Sequence, residues 1–324
     1  MEQQKQIPLL VVVGPTASGK TRLAVALAKR FGGEVVSADS MQVYKSMQIA
    51  TAKPSPEEQE GISHHLVDFV EPDNAAFSVA DYARLARAAI ADIFSRGRLP
   101  ILAGGTGLYI NAVINQIDYA EIKSDSAVRK ALQEQALQLG NEAMLEQLRR
   151  VDPVLAAGLH PNNLGRILRA LEVWQLTGVA MSEHQRLSKQ KESPYQLCIL
   201  GLNYRNRELL YQRINQRVEL MLEQGLVEEA RQISRIYGGT ARQAIGYKEL
   251  QPYLDGKESL SVCVEQLKQA TRNYAKRQLT WFRRDSRIHW LFADDFSSWK
   301  ELLEIGENIV HEQLKICYNG DKLL

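Results

Sequence analysis

The sequence is short of three features, and each shortage excludes a class of protein. Cysteine occurs three times in 324 residues, at Cys198, Cys263 and Cys317. This odd number at wide spacing excludes a disulfide framework and a zinc site. No apolar run approaches the length needed to cross a membrane. Residues 1–7 are mostly polar and carry no signal-peptide pattern, so we expect a cytoplasmic protein with no membrane partner.

An excess of charge of either sign is also missing. The net charge is +2, so the total charge by itself indicates no class of partner. The hydrophobic fraction of 45% is ordinary for a globular protein. The length suits one large domain or two smaller ones with a sizeable core, and we expect a monomer.

The most informative stretch present is residues 14–21, which read Gly14, Pro15, Thr16, Ala17, Ser18, Gly19, Lys20 and Thr21. It follows an apolar run that predicts a buried strand and precedes a helical pattern, which is the context of a phosphate-binding loop. Backbone N–H groups and the helix N-terminus would surround an anion. Lys20 would reach the outer phosphate, and the Thr21 hydroxyl would hold Mg²⁺. The loop predicts a polyphosphate without saying which molecule carries it.

Two further predicted strands end in polar turns at the same sheet edge, where ligands bind in open α/β sheets. Asp39 follows the second strand, and there a metal ligand, a general base and a helix N-cap all remain open. The third strand ends in Gly104-Gly105-Thr106, where Thr106 offers a hydroxyl. The acidic residue usual at a strand end of NTPases is missing here. This absence favours a transferase over a hydrolase.

The helical patterns predict two domains. Residues 1–118 and 195–324 form a P-loop NTPase-like α/β core with a parallel sheet, and residues 119–194 form an all-helical insertion. Within the insertion, Arg166 and Arg169 lie three apart on one helical face and suit either phosphates or a solvated surface. A late helix carries five cations between residues 272 and 284, interleaved with Tyr274, Trp281 and Phe282. Such a helix suits either unpaired bases and phosphates or a solvated surface. Adjacent His64 and His65 are poor metal co-ligands because strand neighbours point to opposite faces.

Together these motifs resemble the bacterial tRNA dimethylallyltransferases, also called tRNA isopentenyltransferases. The resemblance spans nearly the whole chain, in the family's order. The matching segments are residues 14–21 (GPTASGKT), 39–44 (DSMQVY), 51–54 (TAKP), 64–68 (HHLVD), 104–109 (GGTGLY), 160–162 (HPN), 169–172 (RALE), 243–247 (QAIGY) and 275–283 (AKRQLTWFR).

The resemblance implies transfer of a dimethylallyl group from its diphosphate to N6 of adenosine 37 in the tRNA anticodon loop, with Mg²⁺ as cofactor. Asp39, Lys20 and Thr106 would be catalytic. The phosphate loop and Arg217 would hold the donor diphosphate, with Thr21 on the metal. By similarity, tRNA would be bound by Asp39, Ser40, Met41, Gln42, Thr106, Arg129, Gly165, Arg166, Ile167, Leu168, Arg169, Arg242, Gln243, Ala244, Ile245, Gly246 and Tyr247.

Two other functions compete with this hypothesis. An ATP-dependent small-molecule kinase shares the loop and an acidic residue after the second strand, but it leaves the late cationic and aromatic helix without a role. A nucleotide-dependent switch protein that binds RNA would need a guanine-selective motif, which we do not find for GTP. The transferase hypothesis is therefore the main prediction.

Overall fold

The computed structural model describes residues 6–72, 77–116, 125–188, 193–237 and 239–316. The chain divides into two compact units, Met1–Ile110 with Pro194–Leu324, and Asn111–Ser193. The predicted boundary between residues 118 and 119 lies outside the described residues. The predicted return to the core at 195 is one residue after the start of the second segment of the first unit.

A parallel sheet forms the centre of the first unit. Six strands are found among the described residues, in the spatial order β3-β2-β4-β1-β5-β6. Every adjacent pair is parallel. The strands are β1 Ile7–Val13, β2 Gly33–Ser37, β3 His64–His65, β4 Leu99–Gly104, β5 Tyr195–Asn203 and β6 Ile288–Phe292. The predicted α/β core is thereby confirmed.

The central strands read as continuous apolar runs because both faces of the sheet are covered. In β1, Leu9, Leu10, Val11 and Val12 are all fully buried. The strand predicted third is the fourth in the structure, because β3 intervenes at the sheet edge. With only two residues, β3 is too short to give a periodic signal.

Helices make up most of the remaining described chain. The spacing of Ser78 and Asp81 is typical of a capping box, and in the structure Ser78 caps the third helix and forms that box with Asp81. Gly225, with φ at +99°, separates the tenth and eleventh helices. They are α1 Lys20–Phe31, α2 Pro56–Gln59, α3 Val79–Ser95, α4 Gly107–Ile114, α5 Ser126–Leu139, α6 Asn141–Val151, α7 Pro153–Ala156, α8 Leu164–Thr177, α9 Met181–Ser188, α10 Arg207–Glu223, α11 Leu226–Ile236, α12 Gly239–Arg242, α13 Tyr247–Leu254, α14 Leu260–Phe282 and α15 Trp299–Leu314.

An apolar cluster packs α1 and α15 against one face of the sheet. It includes Leu23 and Leu27 from α1, Leu200 from β5, and Leu302 and Val310 from α15. Burying such side chains contributes about 1.5–3 kcal/mol each. The phosphate loop is thus fixed at both ends, by the central strand and by a helix buried on that strand.

The described residues of the second unit form helices and turns and no strand. Its core joins α5, α6 and α8 through residues such as Leu132, Met144, Leu148 and Leu171. Among the described residues, no helix of the chain is both long and apolar enough to span a membrane.

Candidate active site

The phosphate loop has the tight geometry that its two glycines predict. A Cβ added at Gly14 would lie 2.4 Å from the Leu202 carbonyl oxygen and 2.8 Å from the Ser18 Oγ. Gly19 adopts a φ of +97°, which favours glycine. Ser18 is buried, and its hydroxyl has no hydrogen-bond partner among the described residues. A larger residue at either glycine would distort the loop.

Two cations face the same cavity as Asp39, whose negative charge acts on both of them without an ion-pair contact. Lys20 and Arg217 both line it, and neither forms an ion pair with an acidic side chain among the described residues. Burial, reinforced by Arg217, lowers the pKa of Lys20 to about 8. Burial also lowers the pKa of Arg217. Two cations held together in a partly desolvated position provide a site for an anion.

Asp39 lies on a turn after β2, and no helix follows it directly. Its Oδ1 accepts hydrogen bonds from the N–H groups of Met41 at 2.9 Å and Gln42 at 3.4 Å. The side chain therefore stabilises a turn rather than a helix N-terminus. Its Oδ2 makes no hydrogen bond to the described residues, and the residue lines the cavity. One carboxylate oxygen is fixed and the other is available.

Thr106 is joined to the Asp39 turn by hydrogen bonds. The Ser40 N–H donates to Thr106 Oγ1 at 2.9 Å, and the Thr106 N–H donates to the Ala38 carbonyl at 3.0 Å. A Cβ at Gly104 would lie 2.1 Å from the same Ala38 oxygen, so only glycine fits there. The ends of β2 and β4 therefore form one connected turn cluster.

Gln278 on α14 connects this cluster to the phosphate loop. Its Oε1 accepts from the Thr16 N–H at 2.8 Å, and its Nε2 donates to the Gly105 carbonyl at 2.9 Å. The side chain is only 5% exposed. The Thr16 N–H thus binds the protein itself rather than being available to a phosphate. The sequence prediction did not assign Gln278 to the site, although Gln278 lies within the family-matching segment 275–283 and is a polar residue on the buried face of a helix.

α14 also packs closely under the second glycine-rich turn. A Cβ at Gly107 would lie 2.2 Å from the Trp281 ring. Tyr274 interacts with Thr106 and Gln278, and burial raises the pKa of its phenol. Tyr274 and Trp281 are half-buried and Tyr274 lines the cavity, so stacking on bases stays a prediction for them, whereas Phe282 is buried and is not available for it.

A cavity of about 320 Å³ joins these groups within the first unit. Its predicted members are Thr16, Ala17, Lys20, Thr21, Asp39, Ser40, Met41, Gln42, Arg217, Gln243, Ala244, Ile245 and Gly246. Gly14, Pro15, Ser18, Gly19, Thr106, Arg242 and Tyr247 do not line it and lie behind or beside its wall. The structure thus brings together residues predicted to hold the donor diphosphate and two turns predicted for tRNA, at residues 39–42 and 243–246.

The turn at 243–247 is held by a residue that sequence reasoning missed. Glu229 on α11 accepts a hydrogen bond from the Tyr247 hydroxyl at 2.8 Å. Arg242 donates to the Ser234 carbonyl at 2.8 Å, so it supports the same region. Glu229 interrupts the apolar face of α11, between buried Leu226 and Ile233, which is the signal that its sequence offers.

The predicted tRNA residues of the second unit fall into three groups. Gly165 and Arg166 are exposed at the start of α8. Ile167 and Leu168 are 0% and 5% exposed in the unit's core, so their side chains do not face solvent. Arg169 and Arg129 contact Glu172, at 2.9 and 3.8 Å. Glu172 is fully buried, which gives both arginines a structural role beside the predicted one.

The two adjacent histidines do not form a metal site. His64 Nδ1 lies 2.9 Å from the Ile62 carbonyl, and His65 Nε2 lies 2.7 Å from Glu34. No group of three or more His, Cys, Asp or Glu side chains in the described part of the chain is arranged to hold a metal.

Comparison with known proteins gives one answer. A family model described as IPP transferase matches residues 42–285. The tRNA dimethylallyltransferase of Caldanaerobacter subterraneus is 49% identical over 302 residues, covering 92% of this chain and 96% of the relative. That of Geobacillus thermodenitrificans is 51% identical over 289 residues, covering 89% and 91%.

Solved structures agree with this result. The tRNA isopentenylpyrophosphate transferase of Bacillus halodurans has a TM-score of 0.71 at 45% identity, covering 95% of this chain and 97% of that one. A eukaryotic dimethylallyltransferase described as acting on tRNA has a TM-score of 0.79 at 30% identity, covering 98% and 82%. Because the family model covers well over half of the chain and the relatives match along nearly all of it, this chain belongs to the IPP transferase family of tRNA dimethylallyltransferases.

Proposed function

We propose that the protein transfers a dimethylallyl group from dimethylallyl diphosphate to N6 of adenosine 37 in a tRNA anticodon loop. The observation that carries the proposal is the cavity lined by two cations, Lys20 and Arg217, and by Asp39, whose Oδ2 is available. An anionic donor and an amine that must lose a proton need this combination. Because its second substrate is tRNA, we propose that the protein works in the cytoplasm.

The donor's diphosphate would bind at the phosphate loop. The bond between the allylic carbon and the diphosphate oxygen breaks, and the diphosphate leaves with the electron pair. Lys20, Arg217 and the loop N–H groups stabilise the developing negative charge. They act in a partly desolvated position, where such charges interact more strongly than in water.

The acceptor's N6 forms the new bond to the allylic carbon and releases a proton. Asp39 would accept this proton through Oδ2, while Oδ1 is held by the turn's N–H groups. Thr106 is hydrogen-bonded to Ser40, which lines the cavity, so it would contact the adenine from beside the cavity. An adenine within a stacked loop does not reach a buried donor, so the base must leave the stack to enter the cavity.

The Thr21 hydroxyl fits a Mg²⁺ site of the phosphate-loop type. It lines the cavity one residue after Lys20 and makes no side-chain hydrogen bond to the described residues. Bound Mg²⁺ would offset charge on the diphosphate. Since the site lacks a cluster of carboxylates among the described residues, metal affinity should depend on the diphosphate being present.

A mixed assay tests the reaction. Purified protein, Mg²⁺ and unmodified tRNA are incubated with dimethylallyl diphosphate or with ATP. The nucleosides of the tRNA are then analysed by mass spectrometry. We expect adenosine to gain one dimethylallyl group with the diphosphate alone. Consumption of ATP with a small acceptor and no tRNA modification would instead support a kinase.

The Asp39→Ala variant tests the base. We expect turnover to fall by about 100-fold or more while dimethylallyl diphosphate still binds. Near-normal turnover would leave Asp39 only its role in the turn. Asp39→Asn can keep the turn's hydrogen bonds but cannot accept a proton. If Asp39 is the base, Asp39→Asn should lose as much turnover as Asp39→Ala, although its turn is intact.

A further inference from the structure

Glu229 is an anion with an unusual set of partners outside the catalytic cluster. Its Oε2 accepts from the N–H groups of Gln48 and Ile49, both at 2.8 Å. Its Oε1 accepts from the Ala50 N–H at 2.9 Å and from the Tyr247 hydroxyl at 2.8 Å. Three successive backbone N–H groups that converge on one carboxylate form an anion nest. Bonds of this charged kind are stronger than neutral ones.

The two segments that Glu229 holds form one wall of the cavity, which we call the acceptor-side wall. It consists of residues 48–52 and 243–247, and Ala50, Thr51 and Ala52 line the cavity beside Gln243–Gly246. The segments touch: a Cβ at Gly246 would lie 3.1 Å from the Ala50 Cβ. Loops have few backbone partners of their own, so a shared anchor determines their relative position.

The other end of the same loop is tied to the Asp39 turn. Gln42 Nε2 donates to the carbonyls of Thr51 at 3.2 Å and Ala52 at 3.0 Å. The Gln42 N–H in turn donates to Asp39 Oδ1. A continuous set of hydrogen bonds therefore runs from Tyr247 through Glu229 and the 48–52 loop to Asp39.

We propose that Glu229 is a positioning residue that holds the acceptor-side wall and thereby places the nucleic-acid acceptor against Asp39. The proposal rests on the proposed function for the nature of the acceptor. Glu229 does not line the cavity, which is why we assign it a positioning role and not a catalytic one. Its loss should impair use of tRNA and leave the donor's binding site intact, because the phosphate loop and Arg217 have other supports.

Glu229→Gln is the primary test, because the amide keeps the shape and replaces one acceptor oxygen with a donor that opposes the loop N–H groups. We expect kcat/KM for unmodified tRNA to fall about 10- to 100-fold, as for the loss of bonds to a charged group. The Kd for dimethylallyl diphosphate should stay within about twofold. Hydrogen exchange at the amides of residues 48–50 should become faster.

Glu228→Gln is the matched control. Glu228 precedes Glu229 on the same helix, but it is exposed and pairs with Arg231 on the surface. This variant should match the original protein in all three measurements. Tyr247→Phe removes one of the four bonds, so a smaller loss of kcat/KM for tRNA, about three- to tenfold, is expected.

Two results would overturn the proposal. One is an unchanged kcat/KM for tRNA in Glu229→Gln although residues 48–50 exchange faster. The other is an equal loss of donor affinity, which would mean general damage. If Glu229→Gln does not fold, an unchanged Tyr247→Phe variant decides against the proposal. If the unsubstituted protein transfers nothing to tRNA, the proposed function fails instead; Glu229 is then judged by binding of an anticodon stem-loop RNA.

Discussion

Lys20 shows how a single side chain is prepared for an anion. Its ammonium contacts the Pro15 carbonyl oxygen only at 3.4 Å and has a second cation, Arg217, as its neighbour. Burial and this repulsion lower its pKa to about 8. The energetic cost of holding both charges is recovered when a diphosphate enters. The pKa of Lys20 should therefore rise on donor binding.

Donor binding should take up a proton through Lys20. With the pKa at about 8 in the free protein and well above that in the complex, uptake should be small at pH 7, about half a proton at pH 8, and close to one at pH 9. The number of protons taken up is measured by calorimetric titration of the protein with dimethylallyl diphosphate, without RNA, in buffers of different ionisation enthalpy. Lys20→Arg keeps a charge that does not titrate here, so it should lose the uptake. The same uptake in Lys20→Arg would assign the proton to another group.

At the scale of elements, α14 and the β4–α4 turn are fitted to each other. A Cβ at Gly105 would lie 2.2 Å from Gln278 Nε2, within a buried position. Gly105→Ala should displace this amide from both its partners and lower the free energy of unfolding by about 1–3 kcal/mol. In a Gln278→Ala background the methyl group meets no such obstacle. Gly105→Ala should therefore lower the free energy of unfolding by less in the Gln278→Ala background.

A double-mutant cycle with denaturant unfolding measures this coupling. If the losses in free energy of unfolding of Gly105→Ala and Gln278→Ala add up to the loss of the double variant, the fit between the two elements is contradicted. Gly97→Ala is no control, because Gly97 has a φ of +71°. Gly165, exposed on α8 with open space around its Cβ position, is a suitable one, and Gly165→Ala should not depend on Gln278.

Strand β2 contains a buried ionic cluster at its beginning, away from the turn that follows its end. Glu34 is 3% exposed and accepts from Arg96 at 2.6 and 2.7 Å and from His65 at 2.7 Å. The hydrogen bonds from Arg96 outweigh burial and lower the pKa of Glu34 to about 2. Because the pKa is lower in the folded than in the unfolded state, the stabilisation is full above pH 4.5 and is lost as pH falls through 2.

Glu34→Gln should therefore lower the free energy of unfolding by about 3 kcal/mol at pH 7. The difference from the unsubstituted protein should narrow as pH falls from 5 to 3. Urea unfolding of both proteins between pH 3 and 5 measures this difference in the free energy of unfolding. Glu71→Gln, in an exposed pair with Lys45, should change little. A difference that does not vary with pH would attribute the loss to packing rather than to charge.

At the scale of the whole molecule, a net charge of +2 leaves tRNA binding to local arrangements of cations. In the second unit the two arginines of one predicted face differ. Arg166 is exposed and forms no ion pair among the described residues. Arg169 contacts the buried Glu172. The same residue type thus serves two purposes three positions apart.

Arg166→Ala should weaken tRNA binding and reduce the slope of log K against log salt by about 1, without changing stability. Arg169→Ala should lower the free energy of unfolding by about 3 kcal/mol, because it removes a partner of a buried carboxylate. Binding of unmodified tRNA at several salt concentrations, with thermal unfolding alongside, separates the two. An unchanged salt slope in Arg166→Ala would return Arg166 to the role of a solvated surface residue.

Much of the fold was predictable because its signals are local. The phosphate loop, the Ser78 cap and the break at Gly225 each depend on a few neighbouring residues whose backbone needs are evident in the sequence. Strand β3 was not predictable, since two residues give no period. The burial of Phe282 and the position of Tyr274 in the cavity lining were not predictable, because an aromatic residue gives the same sequence pattern whether it faces a base or the protein.

By itself, the sequence determined the parallel α/β core, the anion loop and the family, since motifs and hydrophobic periods are properties of the chain. Only the tertiary structure decided which groups meet in one cavity. Gln278 reaches Thr16 across 262 positions, and Glu229 reaches Gln48 across 181. Such contacts depend on how helices pack against the sheet, and no local pattern encodes them. Burial, too, is a property of the packed molecule, which is why Ile167 and Arg166 are adjacent in sequence yet lie in the core and in solvent.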